Sequence, residues 1–172
     1  LARDTLEGTL RQQSVEEGAC HKGCAWCCRL RVEIRFADAA QLARRAKADP
    51  ALEARVRATA KRVGALDEFA RLEAAVPCAF LDEGGACSVY EDRPLPCRAY
   101  RSRDADWCRS VVGTTGGVET ETPVVTEALA IRSIIQKAMA EVTPPEWRAR
   151  GELHSMVVRV LDALAPPTRR SP

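Results

Sequence analysis

Four of the chain's eight cysteines fall within nine residues, Cys20-His21-Lys22-Gly23-Cys24-Ala25-Trp26-Cys27-Cys28. The other four, Cys78, Cys87, Cys97 and Cys108, share one later segment. The spacing is Cys-x3-Cys-x2-Cys-Cys, then Cys-x8-Cys-x9-Cys-x10-Cys. Any fold open to this chain must give those thiols partners: one another, a metal, or the core. The expectation is that the two blocks meet in space and hold a metal centre.

Disulfides satisfy the even count, but the chain shows no secretory signal and has enough apolar residues for a core. A bridge between the neighbours Cys27 and Cys28 would also strain the geometry that a disulfide prefers. Zinc fits Cys24-x2-Cys27, the knuckle spacing by which two thiolates chelate one ion, with the later cysteines completing one or two tetrahedral sites. An iron–sulfur cluster is likewise held by four thiolates, some close in sequence and some remote. Soft sulfur ligands suit both, so ligand type leaves iron–sulfur and Zn2+, as one centre or two, both open. Adjacent in sequence, Cys27 and Cys28 are expected to point in different directions, one serving as a ligand while the other bridges, binds a second site or is buried as a free thiol.

At 172 residues the chain can bury the core of one ordinary domain. A formal charge of +2 leaves no strong polyanion footprint, and 5% aromatic residues argue against base-stacking rows, so nucleic acid is not an expected partner. The longest apolar run, Ala74 to Leu81, is interrupted by Pro77 and falls far short of the roughly 20 residues of a membrane span. A cytoplasmic protein with a metal ion as partner is expected; the sequence names no protein partner.

The rest of the chain predicts a mainly helical scaffold. Residues 1–19 read as a short helix or a loose lead-in, with helical spacing at Leu6 and Leu10. Leu30 to Phe36 alternates apolar and charged residues, the period of a short strand with one buried side, although no partner strand is evident. Asp38 is placed as N-cap of a helix running to Asp49. Leu52, Val56, Thr59, Val63, Leu66, Phe69, Leu72 and Val76 describe a long amphipathic helix with Gly64 as its candidate break. Between Cys78 and Cys108 the sequence is irregular: Asp82-Glu83-Gly84-Gly85 signals a turn, and Arg93-Pro94-Leu95-Pro96 is expected to exclude helix. A loop of that length needs pinning, which its four cysteines could supply. After a flexible Gly113–Gly117 connection, Thr122-Pro123 and Thr143-Pro144 each predict a helix start, giving a helical pair over 120–165 and a disordered tail after Pro166-Pro167. One domain over 1–172 is expected, with cysteine-rich loops over 20–108 folded around the metal.

A thiolate-rich site carries surplus negative charge. Arg93 and Arg98, beside Cys97, are expected to offset it, whereas Arg101 and Arg103 are read as an exposed basic loop. His21 is an alternative ligand and His154 a structural or surface residue. Asp82, Glu83, Tyr90, Glu91 and Arg98 are the polar groups nearest the cysteines in sequence, and they form no recognisable acid–base pair or nucleophile constellation.

The same residues resemble the YkgJ-type cysteine-cluster family, the CxxCxxCC zinc- or iron-chelating domain. The likeness is carried by the Cys20–Cys28 block and by Pro77-Cys78-Ala79-Phe80-Leu81, Gly85-Ala86-Cys87-Ser88-Val89-Tyr90-Glu91-Asp92-Arg93-Pro94 and Cys97-Arg98-Ala99-Tyr100. The first gap here is three residues where the commoner form has two, which sets Cys20 apart from Cys24 and Cys27. The resemblance implies all eight cysteines as candidate ligands. A relative with a similar cluster, the flagellin lysine N-methylase, implies iron–sulfur binding beside methyl transfer. This chain lacks a glycine-rich S-adenosylmethionine loop, Gly113 to Gly117 following no clear strand, so the methylase activity is not carried over. The helices after residue 120 lie outside the resemblance.

Overall fold

The computed structural model describes residues 2–15, 18–114 and 123–164. Among these, eight α-helices and one two-stranded sheet form a mainly α fold: α1 Ala2–Gln12, β1 Glu33–Arg35, α2 Phe36–Lys47, α3 Pro50–Val63, α4 Glu68–Ala74, α5 Leu95–Ala99, α6 Ala105–Val111, α7 Thr126–Val142, β2 Arg150–Glu152 and α8 Leu153–Ala163. No helix among the described residues is long and apolar enough to cross a membrane.

One core is built where α8 lies across α2 and α3. Ala39, Leu42, Ala43 and Ala46 recur at helical spacing on α2, and the three small side chains let α8 approach closely. They meet Leu52 and Val56 of α3 and Leu153, Met156, Val157, Val160 and Leu161 of α8, with Phe80 and Val89 closing the cluster. Each such buried aliphatic or aromatic side chain contributes about 1.5–3 kcal/mol. A second, smaller core joins Leu6 and Leu10 of α1, Leu95 and Ala99 of α5, and Val125 and Ala128 at the start of α7.

The strand expected near Leu30–Phe36 finds its partner far along the chain. β1 pairs antiparallel with β2, in the register Glu33↔Glu152, Ile34↔Gly151 and Arg35↔Arg150. This corrects the helix expected from Thr143-Pro144: Pro145–Trp147 forms one 3-10 turn, β2 follows, and α8 begins only at Leu153. Glu152 caps α8, its carboxylate accepting from the Ser155 backbone N–H at 2.9 Å.

Other boundaries move for similar local reasons. α2 starts at Phe36 rather than after Asp38, because Asp38 sits in the first turn and accepts from the Arg35 backbone N–H at 3.4 Å. The helix expected over 50–76 does break at Gly64, and Asp67 caps α4 by accepting from Ala70 N–H at 2.8 Å. Leu95–Ala99 is helical despite its prolines, since Pro94 stands before the first turn and Pro96 within it, where no backbone N–H is required. α7 starts at Thr126, with Val124 bridged to Ser102 instead of helical. Thr122, most of the Gly113–Gly117 connection and the tail after Leu164 lie outside the described residues.

Candidate metal centre

The two cysteine blocks are fastened together at both ends. At one end the Ala19 N–H donates to the Ser102 carbonyl at 2.7 Å, and the Ser102 N–H points to the Cys20 sulfur at 3.5 Å. Gly18 makes this approach possible: its φ is +79°, and a Cβ there would stand 2.5 Å from the Ser102 oxygen. At the other end the Cys78 N–H donates to the Cys28 carbonyl at 2.9 Å.

Cys78 and Cys87 stand on the two arms of a tight turn. Leu81 and Cys87 form a bridge, Asp82 N–H donates to Ala86 O at 2.8 Å, and the Asp82 carboxylate accepts from Ala86 N–H at 2.8 Å. The expected Asp82–Gly85 turn is therefore present, with Gly85 at φ +75° and packed against the Gly23 carbonyl. α5 carries Cys97. Asp104 caps α6 through Trp107 N–H at 2.9 Å and thereby fixes Cys108.

All eight cysteines are free and all line one cavity. Cys108 is buried, Cys20 is exposed, and the other six are half-buried. Among the described residues no three histidine, cysteine, aspartate or glutamate side chains converge on a point that a single ion could occupy. Charge interactions link Cys97 with Cys78, Cys27 and Cys87, and Cys108 with Cys20, Cys27 and Cys24. Cys27 and Cys28 open one turn of 3-10 helix, Cys27–Arg29.

Burial pushes the Cys24, Cys87, Cys97 and Cys108 thiols above their ordinary range and takes Cys78 to about 11. Cys27 is raised by its hydrogen bond with Cys28 first and by burial second. Before a cation arrives these groups hold their protons; a metal must displace them. Arg93 works in the opposite direction on Cys27, Cys87 and Cys97, and Arg98 on Cys87, each favouring thiolate.

Arg93 lies 3.9 Å over the Tyr90 ring. Arg98 is buried, donates to the carbonyls of Arg93 and Tyr90 at 3.0 Å each, and faces Glu7 at 3.8 Å. Both stand where a thiolate-compensating role requires. Arg101 is not an exposed loop residue: it is half-buried and pairs with Glu7 at 3.3 Å. Arg103 is more open and pairs with Glu127 at 3.2 Å. His21 is exposed, with Nδ1 3.2 Å from the Ala19 carbonyl.

Behind Cys78 lies a charged set that sequence reading missed. His154 is structural: its Nε2 accepts from Ala79 N–H at 3.2 Å, so Nδ1 carries the proton and donates to Glu152 at 2.8 Å. Arg71 is 1% exposed, and none of its three guanidinium nitrogens has a hydrogen-bond partner; the charges acting on it include Glu152 and Cys78. Glu152 offered a signal, standing just before an apolar helix as a cap does. Arg71, between Ala70 and Leu72, offered none.

Residues 19–115 match the family described as "CxxCxxCC: Putative zinc- or iron-chelating domain". The chain belongs to this family. Its matched region runs from the strap at Ala19 to just past α6 and includes all eight cysteines. No curated protein and no solved structure matches the chain. The helices after residue 120 lie beyond the match, yet α8 supplies a third of the buried residues of the main core, and His154 reaches the backbone beside Cys78.

Proposed function

We propose that the protein is an iron–sulfur protein whose cluster is held by thiolates drawn from Cys20, Cys24, Cys27, Cys28, Cys78, Cys87, Cys97 and Cys108. The observation that carries this reading is that eight free thiols line one shared cavity. Four thiolates suit an iron–sulfur cluster as they suit zinc, and the lean to the cluster comes from the resemblance to the flagellin lysine N-methylase. Arg93 and Arg98 supply positive charge beside the thiols, as a cluster with surplus negative charge requires. When bound, such a group supplies electron transfer or radical chemistry. The chain's own part is to hold the thiolates, exclude water behind Phe80 and His154, and balance charge. A reducing cytoplasmic location fits a protein that keeps eight thiols free.

Zinc is the second reading, favoured by the Cys24-x2-Cys27 knuckle: Cys24 N–H donates to His21 O at 3.0 Å in the tight turn that such a knuckle uses. It makes the domain a structural interaction module without catalysis.

The deciding experiment is metal and acid-labile sulfide analysis with a visible spectrum on protein purified without oxygen. Brown protein with matched iron and sulfide is expected. Colourless protein with tightly held zinc and no sulfide would replace the cluster by the structural reading. Neither metal, together with no titratable thiols, would overturn both.

A further inference from the structure

The cavity has a second wall whose chemistry the thiols do not use. The β1–β2 register sets Arg35 directly opposite Arg150, an arrangement that costs energy because like charges face each other across the pair. Arg35 donates through Nη2 to the carbonyl of Gln136 on α7 at 3.0 Å, and Arg132 lies one helical turn before Gln136. All three arginines and Gln136 line the cavity.

These arginines differ from most of those that line the cavity in having no close carboxylate partner. Arg3, Arg45, Arg57, Arg98, Arg101 and Arg103 each pair with a carboxylate. Among the described residues, Arg132 and Arg150 make no ion pair or hydrogen bond, and Arg35 makes only the bond to Gln136. The Nε atoms of Arg35 and Arg132 are buried without an acceptor. Two of the nearby acids are committed elsewhere: Glu33 faces Arg31 at 3.7 Å, and Glu152 is held by His154 and Ser155. Three positive charges and two orphaned buried donors therefore face a single carboxylate, Asp38, whose charge acts on Arg35.

We infer that Arg35, Arg132 and Arg150 form a binding site for a dianionic oxyanion, a phosphate group or a dicarboxylate, on the wall of the thiol-lined cavity. Guanidinium forks pair with both chemistries through two parallel N–H···O bonds, and a doubly charged ligand offsets the mutual repulsion of Arg35 and Arg150. α5, which carries Cys97, packs against both β1 and α7, so the bound oxyanion sits on the elements that flank the thiols. The site does not depend on which metal the cysteines hold.

The test is isothermal titration of the full chain, as purified with its metal, with inorganic phosphate in one arm and succinate in the other, at constant ionic strength set with potassium chloride. Saturable binding is expected in at least one arm; the arm that responds identifies the oxyanion. Arg132→Gln and Arg150→Gln are each expected to weaken it at least tenfold while circular dichroism and metal content stay unchanged. No saturable heat in either arm, or binding that both variants retain, would overturn the site. Because metal content is read on the same samples, failure of the metal reading and failure of the oxyanion site are separate results.

Discussion

Glu152→Gln tests the account of the buried charges most directly. Glu152 is 4% exposed, and its carboxylate accepts from His154 Nδ1 at 2.8 Å, from Ser155 N–H at 2.9 Å and from the Ser155 hydroxyl at 3.0 Å. Burial alone would raise its pKa, but the hydrogen bond from His154 and the backbone donors outweigh burial and bring it down from 4.5 to about 2. That interval corresponds to about 3 kcal/mol of folding free energy. Because the carboxylate is held lower in the folded state, this contribution is present above pH 4.5 and disappears as pH falls through about 2. Urea unfolding of wild type and variant, compared at pH 7, 5 and 3, reads it. The variant is expected to be about 2–3 kcal/mol less stable at pH 7, with the gap closing as pH falls. Taking the difference between proteins of equal metal content cancels the acid sensitivity of the thiolates. A gap that is absent at pH 7, or constant from pH 7 to 3, would refute the reasoning.

Three further outcomes are expected. Arg71→Met removes a buried guanidinium that has no hydrogen-bond partner, so the metal-free protein should unfold at equal or higher urea; metal retention against a chelator should fall, because a positive charge acting on Cys78 is lost. Gly18→Ala forces a side chain into a φ of +79° and against the Ser102 carbonyl, and should cost about 1–3 kcal/mol in thermal unfolding. Unchanged stability would mean that the Ala19–Ser102 strap is not under constraint. Adding zinc to metal-free protein at pH 7 in weak buffer should release about four protons per ion held by four thiols, read with a pH indicator; release near zero would show that the thiols are already ionised.

What the sequence made legible follows from which interactions are local. The apolar spacing on α2 and α3, the Gly64 break and the Asp82–Gly85 turn depend on neighbours a few residues away, and each is where it was expected. β2 was read as helix because Arg150–Glu152 is extended only through pairing with β1, more than a hundred residues earlier. Pro96 misled because a proline's meaning depends on whether it falls in the first turn of a helix or beyond it. The cysteines stand out in the sequence by composition and spacing, and Arg93 and Arg98 by their nearness to Cys97. The polar set behind Cys78 does not: Arg71, Glu152 and His154 come from α4, β2 and α8, and only tertiary packing places them there.

The strap between the cysteine blocks also has a consequence for biosynthesis. Cys20 to Cys28 leave the ribosome long before Cys108, and β1 waits longer still for the strand that begins at Arg150. During that interval four closely spaced thiols are without the partners that later enclose them, open to oxidation or to capture of the wrong ion. Enclosure of these thiols is therefore a late event, complete only once the strand that begins at Arg150 has joined β1.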